Sequence, residues 1–476
     1  MIREAAIPRS PAIDARTAAA MAAVPVLIAV GYAAFSDLRM AAVLLGVVAL
    51  GGWAVFAYQR PLTAMPLAFP LLLLAGTKFR VRDAAASLDG AVDAQVAMEL
   101  GLFGFVAVGL AAAWLRAGDR RRLSTGELAI GAYVAVAALS VLWSASPMLT
   151  VVRAGQLAIV AGCVAGAVRV LSPARALWTA IAFLTLHVLL FAAAALVVPG
   201  WYGTVDVERP GRFAWFAVHP IEVATLAGMA GLGLLGAVLF APLGRRARLF
   251  GLPAVMVALP VVAVMFFASS RGAMLAFVGA VGLLVLLKLH GSIRWPAIFV
   301  GSALALGLVI AAPRLEWWLQ SAATQSAFVD RAFFRGQGVE TVLEMNGRVE
   351  LWQDLLPVVG NQVFTGFGYQ ASRGVLLATA EWAAYAHNAV MQTLLDLGIF
   401  GTLALLAVIA CSLSAFRRTG LAPWLKAAVS ALAVFLAVNS IAAESFAAAP
   451  GYDALVLFLC AVCATWRNDP ASVRLS

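Results

Sequence analysis

Apolar runs of roughly 17 to 25 residues recur along the whole chain, divided by short charged loops, and this is the length a helix needs to cross ~30 Å of hydrocarbon. The runs fall at 18–35, 40–58, 62–77, 95–115, 126–143, 151–171, 174–198, 216–241, 250–268, 273–289, 296–312, 388–414, 427–447 and 452–466. Barrel-type alternation of polar and apolar residues is absent. Composition agrees: 63% of residues are hydrophobic and 12% charged, against about 25% charged in a soluble domain. The fold class expected is all-α, a polytopic membrane protein of about 12–14 transmembrane helices. The opening MIREAAIPRSPAIDAR is polar for too long to be a signal-peptide n-region, and no clear A-x-A site follows the first run, so that run is read as a retained helix.

Cytoplasmic loops carry the excess of Lys and Arg. RAGDRRR (116–122), RVLSPAR (169–175), GRRAR (244–248), KLHGSIR (288–294) and FRRTGLAPWLK (416–426) share one side if every run spans, and both termini join them. KFRVRD (78–83) is the exception on the outer side. The net charge of +10 is then a topology signal with anionic membrane lipids as its partners, and nucleic acid is not expected. Cys163, Cys411, Cys460 and Cys463 all lie in apolar runs and read as small buried hydrophobes.

Three regions follow: N-terminal membrane helices over 1–312, an outer loop over 313–387, and C-terminal membrane helices over 388–476. A loop that long is commonly functional or disordered. This one contains NGRVELWQDLLPVVGNQVFTGFGYQ (346–370), in which Val349, Trp352, Leu355 and Leu356 recur at helical spacing. An amphipathic helix is expected there, lying on the membrane or capping a cavity.

Polar groups gather on the outer side. In SSRGAML (269–275), Arg271 interrupts two apolar runs with almost no loop to carry it. It either snorkels to headgroups or faces an anion in a wet cavity that Ser270 would also line. Arg348 sits in the first turn of the amphipathic helix, where the dipole disfavours a cation. It pairs with Glu344 or Glu350, or it holds an anionic ligand together with the free backbone N–H groups. His387 and Asn388 open the 388–414 run, where His387 is either a capping residue or an acid–base group. Gly398 and Gly401 in that run have the spacing that lets membrane helices approach closely. Arg212, His219, Glu222 and Glu444 are further ionisable groups near the outer boundary, candidates for holding substrate. No D-x-D, no H-E-x-x-H and no paired outer carboxylates suggest a metal cage. Arginines can neutralise a departing diphosphate, a task otherwise given to magnesium.

The stretches WSASPMLTVVRAGQ (143–156), SSRGAML (269–275), GRVELW (347–352) with TGFGYQ (365–370), and HNAVMQTLLDLGIFG (387–401) resemble, in this order, the O-antigen ligase and O-antigen polymerase family of bacterial inner-membrane glycosyltransferases. The resemblance covers about residues 125–450. It implies a GT-C-like helical fold with one long periplasmic loop containing short helices. It also implies an active site facing the periplasm, no metal or other cofactor, and inverting transfer of a glycan from undecaprenyl diphosphate. The family's two arginines fall on Arg271 and Arg348 and its histidine on His387, the catalytic candidates. Substrate binding would then fall to Arg212, His219, Glu222, Ser270, Asn388 and Glu444. The acceptor is a lipid A-core hydroxyl in the ligase version, the one favoured, and a second lipid-linked glycan in the polymerase version. A transporter of lipid-linked glycan is the alternative of another class, and the clustering of polar residues at one face without a sequence repeat speaks against it.

Overall fold

The computed structural model describes residues 38–79, 93–117, 122–198, 212–240, 248–289 and 347–466. Within them lie fourteen α-helices: α1 (Leu38–Gln59), α2 (Pro61–Gly76), α3 (Ala94–Ala117), α4 (Thr125–Leu139), α5 (Pro147–Leu171), α6 (Pro173–Val197), α7 (Pro220–Phe240), α8 (Ala254–Ala268), α9 (Arg271–Lys288), α10 (Arg348–Asn361), α11 (Arg373–Thr379), α12 (Ala389–Leu413), α13 (Pro423–Asn439) and α14 (Tyr452–Thr465). A two-residue antiparallel pair, β1 (Arg248–Leu249) with β2 (Leu252–Pro253), is the only sheet among the described residues. The expected runs at 18–35 and 296–312, and the boundary between 312 and 313, lie outside the described residues.

Among the described residues, seven helices are long and apolar enough to span a membrane: α3, α4, α5, α6, α7, α9 and α12. Apolar helices of 10–17 residues occur in α1, α2, α8, α13 and α14. The protein is a multi-pass, all-α membrane protein. Leu196, Val197, Phe267, Leu275 and Leu403 are more than half exposed, as side chains facing lipid would be.

Local chemistry sets the breaks. Leu171 ends α5 and Pro173 opens α6 with only Ser172 between them, because proline lacks the N–H that would continue the helix but suits its first position. Ser269, in the left-handed region at φ +56°, and extended Ser270 turn α8 into α9. Ser124 and Glu127 form a reciprocal capping box at the start of α4.

Helix α14 is buried on every side, and α7 nearly so, as expected of helices that are hydrophobic all round. Lipid tails are as apolar as leucine, so close packing must join such helices. On α7, a Cβ at Gly236 would stand 3.1 Å from the Ala428 Cα of α13, and one at Gly233 would press on Ile181 of α6. These small residues draw α6 and α13 onto α7.

Candidate active site

The site is organised by the loop that follows α13. The 427–447 run was expected to continue as helix past Glu444, but α13 stops at Asn439. The Asn439 side chain donates to Thr225 Oγ1 at 3.1 Å and to Ser445 Oγ at 3.0 Å, closing the loop on itself and tying it to α7. Successive loop residues then receive other parts of the chain. The Ser440 carbonyl accepts from Ala389 N at 2.9 Å, the Ile441 carbonyl from Asn388 Nδ2 at 3.1 Å, and the Ala442 carbonyl from Arg348 Nη1 at 2.6 Å. Two residues on, Glu444 Oε2 faces His387 Nδ1 at 3.2 Å.

His387 lies just before α12 with φ +51°. Asn388 is the N-cap, its Oδ1 accepting from Val390 N and Met391 N at 3.0 Å each. The cap is therefore Asn388, and the imidazole is left for other work. Its ring stacks on Trp382, with centroids 5.9 Å apart and planes 10° from parallel. An ionised Glu444 only accepts, so the Nδ1 facing it carries the proton and Nε2 is the basic nitrogen. Burial by itself would raise the Glu444 pKa. The hydrogen bond and charge of His387, helped by the charge of Arg348, overcome burial and hold the carboxyl below its usual range.

Arg348 opens α10 after Gly347, the N-cap at φ +75°. Helix α10 buries Leu351, Leu355 and Val359 against Leu376, Ala383, Ala386 and Leu395, while Trp352 Nε1 donates to the Ala386 carbonyl at 2.8 Å. Val349 and Leu356, expected in the apolar stripe, are exposed at 39% and 58%. The stripe is rotated because the partner of α10 is the chain leading into His387. Of the two carboxylates considered for Arg348, Glu344 lies outside the described residues, and Glu350 is exposed on the first turn of α10.

Arg271 is half-buried at the first position of α9, behind buried Ser270. A Cβ on the next residue, Gly272, would touch the Ala442 Cβ at 3.3 Å, so the start of α9 lies against the residue whose carbonyl binds Arg348. Buried Arg212 donates from Nε to the Ala268 carbonyl at 3.3 Å, next to the Ser269–Ser270 break. His219 takes the capping role at α7: Nδ1 accepts from Ile221 N at 3.2 Å, and its carbonyl accepts from Glu222 N and Val223 N. That cap moves the start of α7 four residues beyond the beginning of the 216–241 run. Glu222 pairs with Lys78 at 3.3 Å across partly exposed side chains. The Glu222 carboxylate is the main cause that holds Lys78 above the usual lysine range, with lesser help from Tyr385 and Glu444. Lys78 is the first residue of the exceptional outer basic stretch, and Glu222 gives it a reason to be there.

The remaining resemblance stretches are scaffolding for this arrangement. Helix α12 kinks at Gly398, with φ +61° and ψ −161°, and a Cβ there would collide with the Phe364 carbonyl. The kink frees the Leu395 and Asp396 carbonyls, which accept from Phe367 N and Gly368 N at 2.8 Å each, and Ile399 N donates to the Val363 carbonyl at 2.8 Å. The close approach admitted by Gly398 is thus to the TGFG turn. This corrects the reading of Gly398 and Gly401 as a helix-pairing motif, since the nearest atoms to a Gly401 Cβ belong to Leu397 of the same helix. From the other side, Trp143 Nε1 donates to the Thr365 carbonyl, Ala145 N to the Phe367 carbonyl and Thr150 Oγ1 to the Tyr369 carbonyl. Arg153 of that stretch is paired with Glu99 and Gln156.

Residues 255–406 match the family model described as O-antigen ligase. This segment is similar to the O-antigen ligase family. The matched segment contains Ser270, Arg271, Arg348, His387 and Asn388, whereas Arg212, His219, Glu222 and Glu444 lie outside it. The match covers about a third of the chain, and the family it describes is one of membrane enzymes of the O-antigen ligase and polymerase type. Comparison with curated proteins gives no match. Sequence reasoning missed Trp382 as the stacking partner of His387, and it named Trp352 and the stretch that begins at Lys78 without the partners they meet, the Ala386 carbonyl and Glu222.

Proposed function

We propose that the protein moves a glycan from undecaprenyl diphosphate to an acceptor hydroxyl on the periplasmic face of the inner membrane, as an inverting ligase with lipid A-core as acceptor. The observation that carries this reading is the meeting of Arg348, His387, Glu444 and the start of α9 on the 440–444 loop. The acceptor hydroxyl attacks the anomeric carbon of the first sugar, the bond from that carbon to the diphosphate oxygen breaks, and the hydroxyl proton passes to His387 Nε2. Glu444 holds the tautomer and stabilises the imidazolium that forms. Arg271 and Arg348 take the charge that grows on the departing diphosphate, and a guanidinium fork matches phosphate oxygens. Arg212 and Ser270 support the start of α9, while Glu222, Asn388 and His219 line the approach for the acceptor. These residues need no metal or cofactor for that step.

The orientation is supported by the loops at the other end of the bundle. Those joining α5 to α6 and α12 to α13 carry RVLSPAR and FRRTGLAPWLK, and both meet the C-terminus of α14, where Cys463 Sγ donates to the Pro173 carbonyl at 3.6 Å and Arg418 Nε to the Ala464 carbonyl at 2.8 Å. Purified protein given radiolabelled lipid-linked glycan tests the reading. Label moving to lipid A-core with release of polyprenyl diphosphate is expected. Label moving to a second lipid-linked glycan makes the protein a polymerase. Lipid that crosses the bilayer without diphosphate release makes it a transporter.

A further inference from the structure

A second feature lies at the end of the bundle away from His387. Gly126, in the first turn of α4, donates its N–H to Thr465 Oγ1 at the C-terminus of α14 at 3.0 Å. The segment after Glu444 leads directly through Ser445–Ala447 into the N-terminus of α14 at Tyr452, so the two ends of α14 mark the two ends of the bundle. Here the last turns of α3 and α5 and the first turns of α4 surround a groove of about 200 Å³ lined by Trp114, Glu127, Gly131, Ala158, Gly162 and Arg169.

Arg169 is the unusual member. Its side chain is only 11% exposed, and its guanidinium lies over the Trp114 ring at 4.5 Å. Nη2 meets Glu127 Oε1 at 3.4 Å, but Nε and Nη1 are buried without a hydrogen-bond partner among the described residues. The second oxygen of Glu127 is engaged in the capping box, where it accepts from Ser124 N at 2.7 Å. Buried donors on a cation without acceptors are unfavourable, and an anionic oxygen is the group that relieves them. All three anchoring residues sit at helix ends, the depth of lipid headgroups, where tryptophan and arginine are enriched. Deeper in the groove the wall is small and apolar: Gly131 and Ala158 are exposed, and a Cβ at Gly131 would meet nothing within 4 Å. The groove thus has an anion-binding rim at headgroup depth and an open slot running toward the bilayer centre.

We propose that this groove holds one anionic phospholipid of the surrounding bilayer, with its phosphate on the spare donors of Arg169 and one acyl chain in the slot beside Gly131 and Ala158. The site stands apart from the glycan-transfer reading and survives its failure. The test is native mass spectrometry of the full-length protein, titrated with phosphatidylglycerol, phosphatidylcholine or inorganic phosphate. Wild type should retain one phosphatidylglycerol at a concentration about tenfold lower than Arg169→Gln or Gly131→Leu requires. Phosphatidylcholine should bind more weakly, and inorganic phosphate should not displace the lipid. Gly131→Leu leaves Arg169 untouched and enters open space, so its effect separates loss of the slot from misfolding. Equal retention by wild type and both variants overturns the proposal. Displacement of the lipid by inorganic phosphate, which would make the groove a simple anion site, overturns it too.

Discussion

Glu444 Oε2 lies 3.2 Å from His387 Nδ1, although 57 residues of chain and two helices separate them. The pair exists because α13 ends at Asn439 and α12 begins only after Asn388, so two non-helical segments meet at one end of the bundle. A carboxylate on Nδ1 leaves Nε2 as the accepting nitrogen of the neutral imidazole, and stacking on Trp382 fixes the plane of the ring.

If Glu444 acts through His387, Glu444→Gln leaves the donor KM near wild type and lowers kcat by about 10²-fold, and His387→Ala lowers it by about 10²- to 10⁴-fold. Steady-state kinetics with lipid-linked glycan separates the two parameters. A pure KM effect in Glu444→Gln would assign Glu444 to binding.

Arg348 has a structural bond as well as its proposed chemical task. Arg348→Ala removes the donor to the Ala442 carbonyl, and loss of a charged hydrogen bond costs about 1.5–3 kcal/mol of stability. Turnover should fall about 10²- to 10³-fold. Arg348→Lys keeps the charge without the fork and should recover only part of the activity. Melting curves beside kcat measurements check both statements.

The kink at Gly398 is a backbone requirement. Gly398→Ala places a Cβ at φ +61° against the Phe364 carbonyl, so it should destabilise the protein by more than about 1 kcal/mol and weaken the seating of the TGFG turn. Gly279→Ala, where a Cβ meets nothing within 4 Å, should change the melting temperature little. Equal melting temperatures for the two variants would contradict this role for the kink.

The sign of the Glu444 shift sets a pH dependence. Its folded-state pKa lies below the ordinary 4.5, so the stabilisation from its ionised form is complete above pH 4.5 and is lost as pH falls through the lower folded value. The melting-temperature gap between wild type and Glu444→Gln should narrow below pH 4.5. A gap that widens there would reverse the assignment.

The helices were legible because lipid demands long apolar runs, and most boundaries fall within a few residues of those runs. The exceptions follow from side-chain capping: His219 delays α7, and Asn439 with its two hydroxyl partners stops α13. Arg271, Arg348 and His387 were legible as polar residues where hydrophobic segments break. Their gathering at one end was implied by helix parity, but the meeting of Arg348, His387 and the start of α9 on the 440–444 loop was not, since contacts to backbone carbonyls leave no residue-type signal. Gly398 shows the same limit: a small-residue spacing looks alike in sequence whether it admits a helix or a turn.

Cryo-electron microscopy of the protein with a bound polyprenyl-diphosphate-linked glycan tests the central claim most directly. The account predicts diphosphate oxygens within about 3 Å of guanidinium nitrogens of both Arg271 and Arg348, and His387 Nε2 facing the anomeric carbon. A diphosphate seated away from the 440–444 loop, or a sugar on the far side of the bundle from His387, would contradict it.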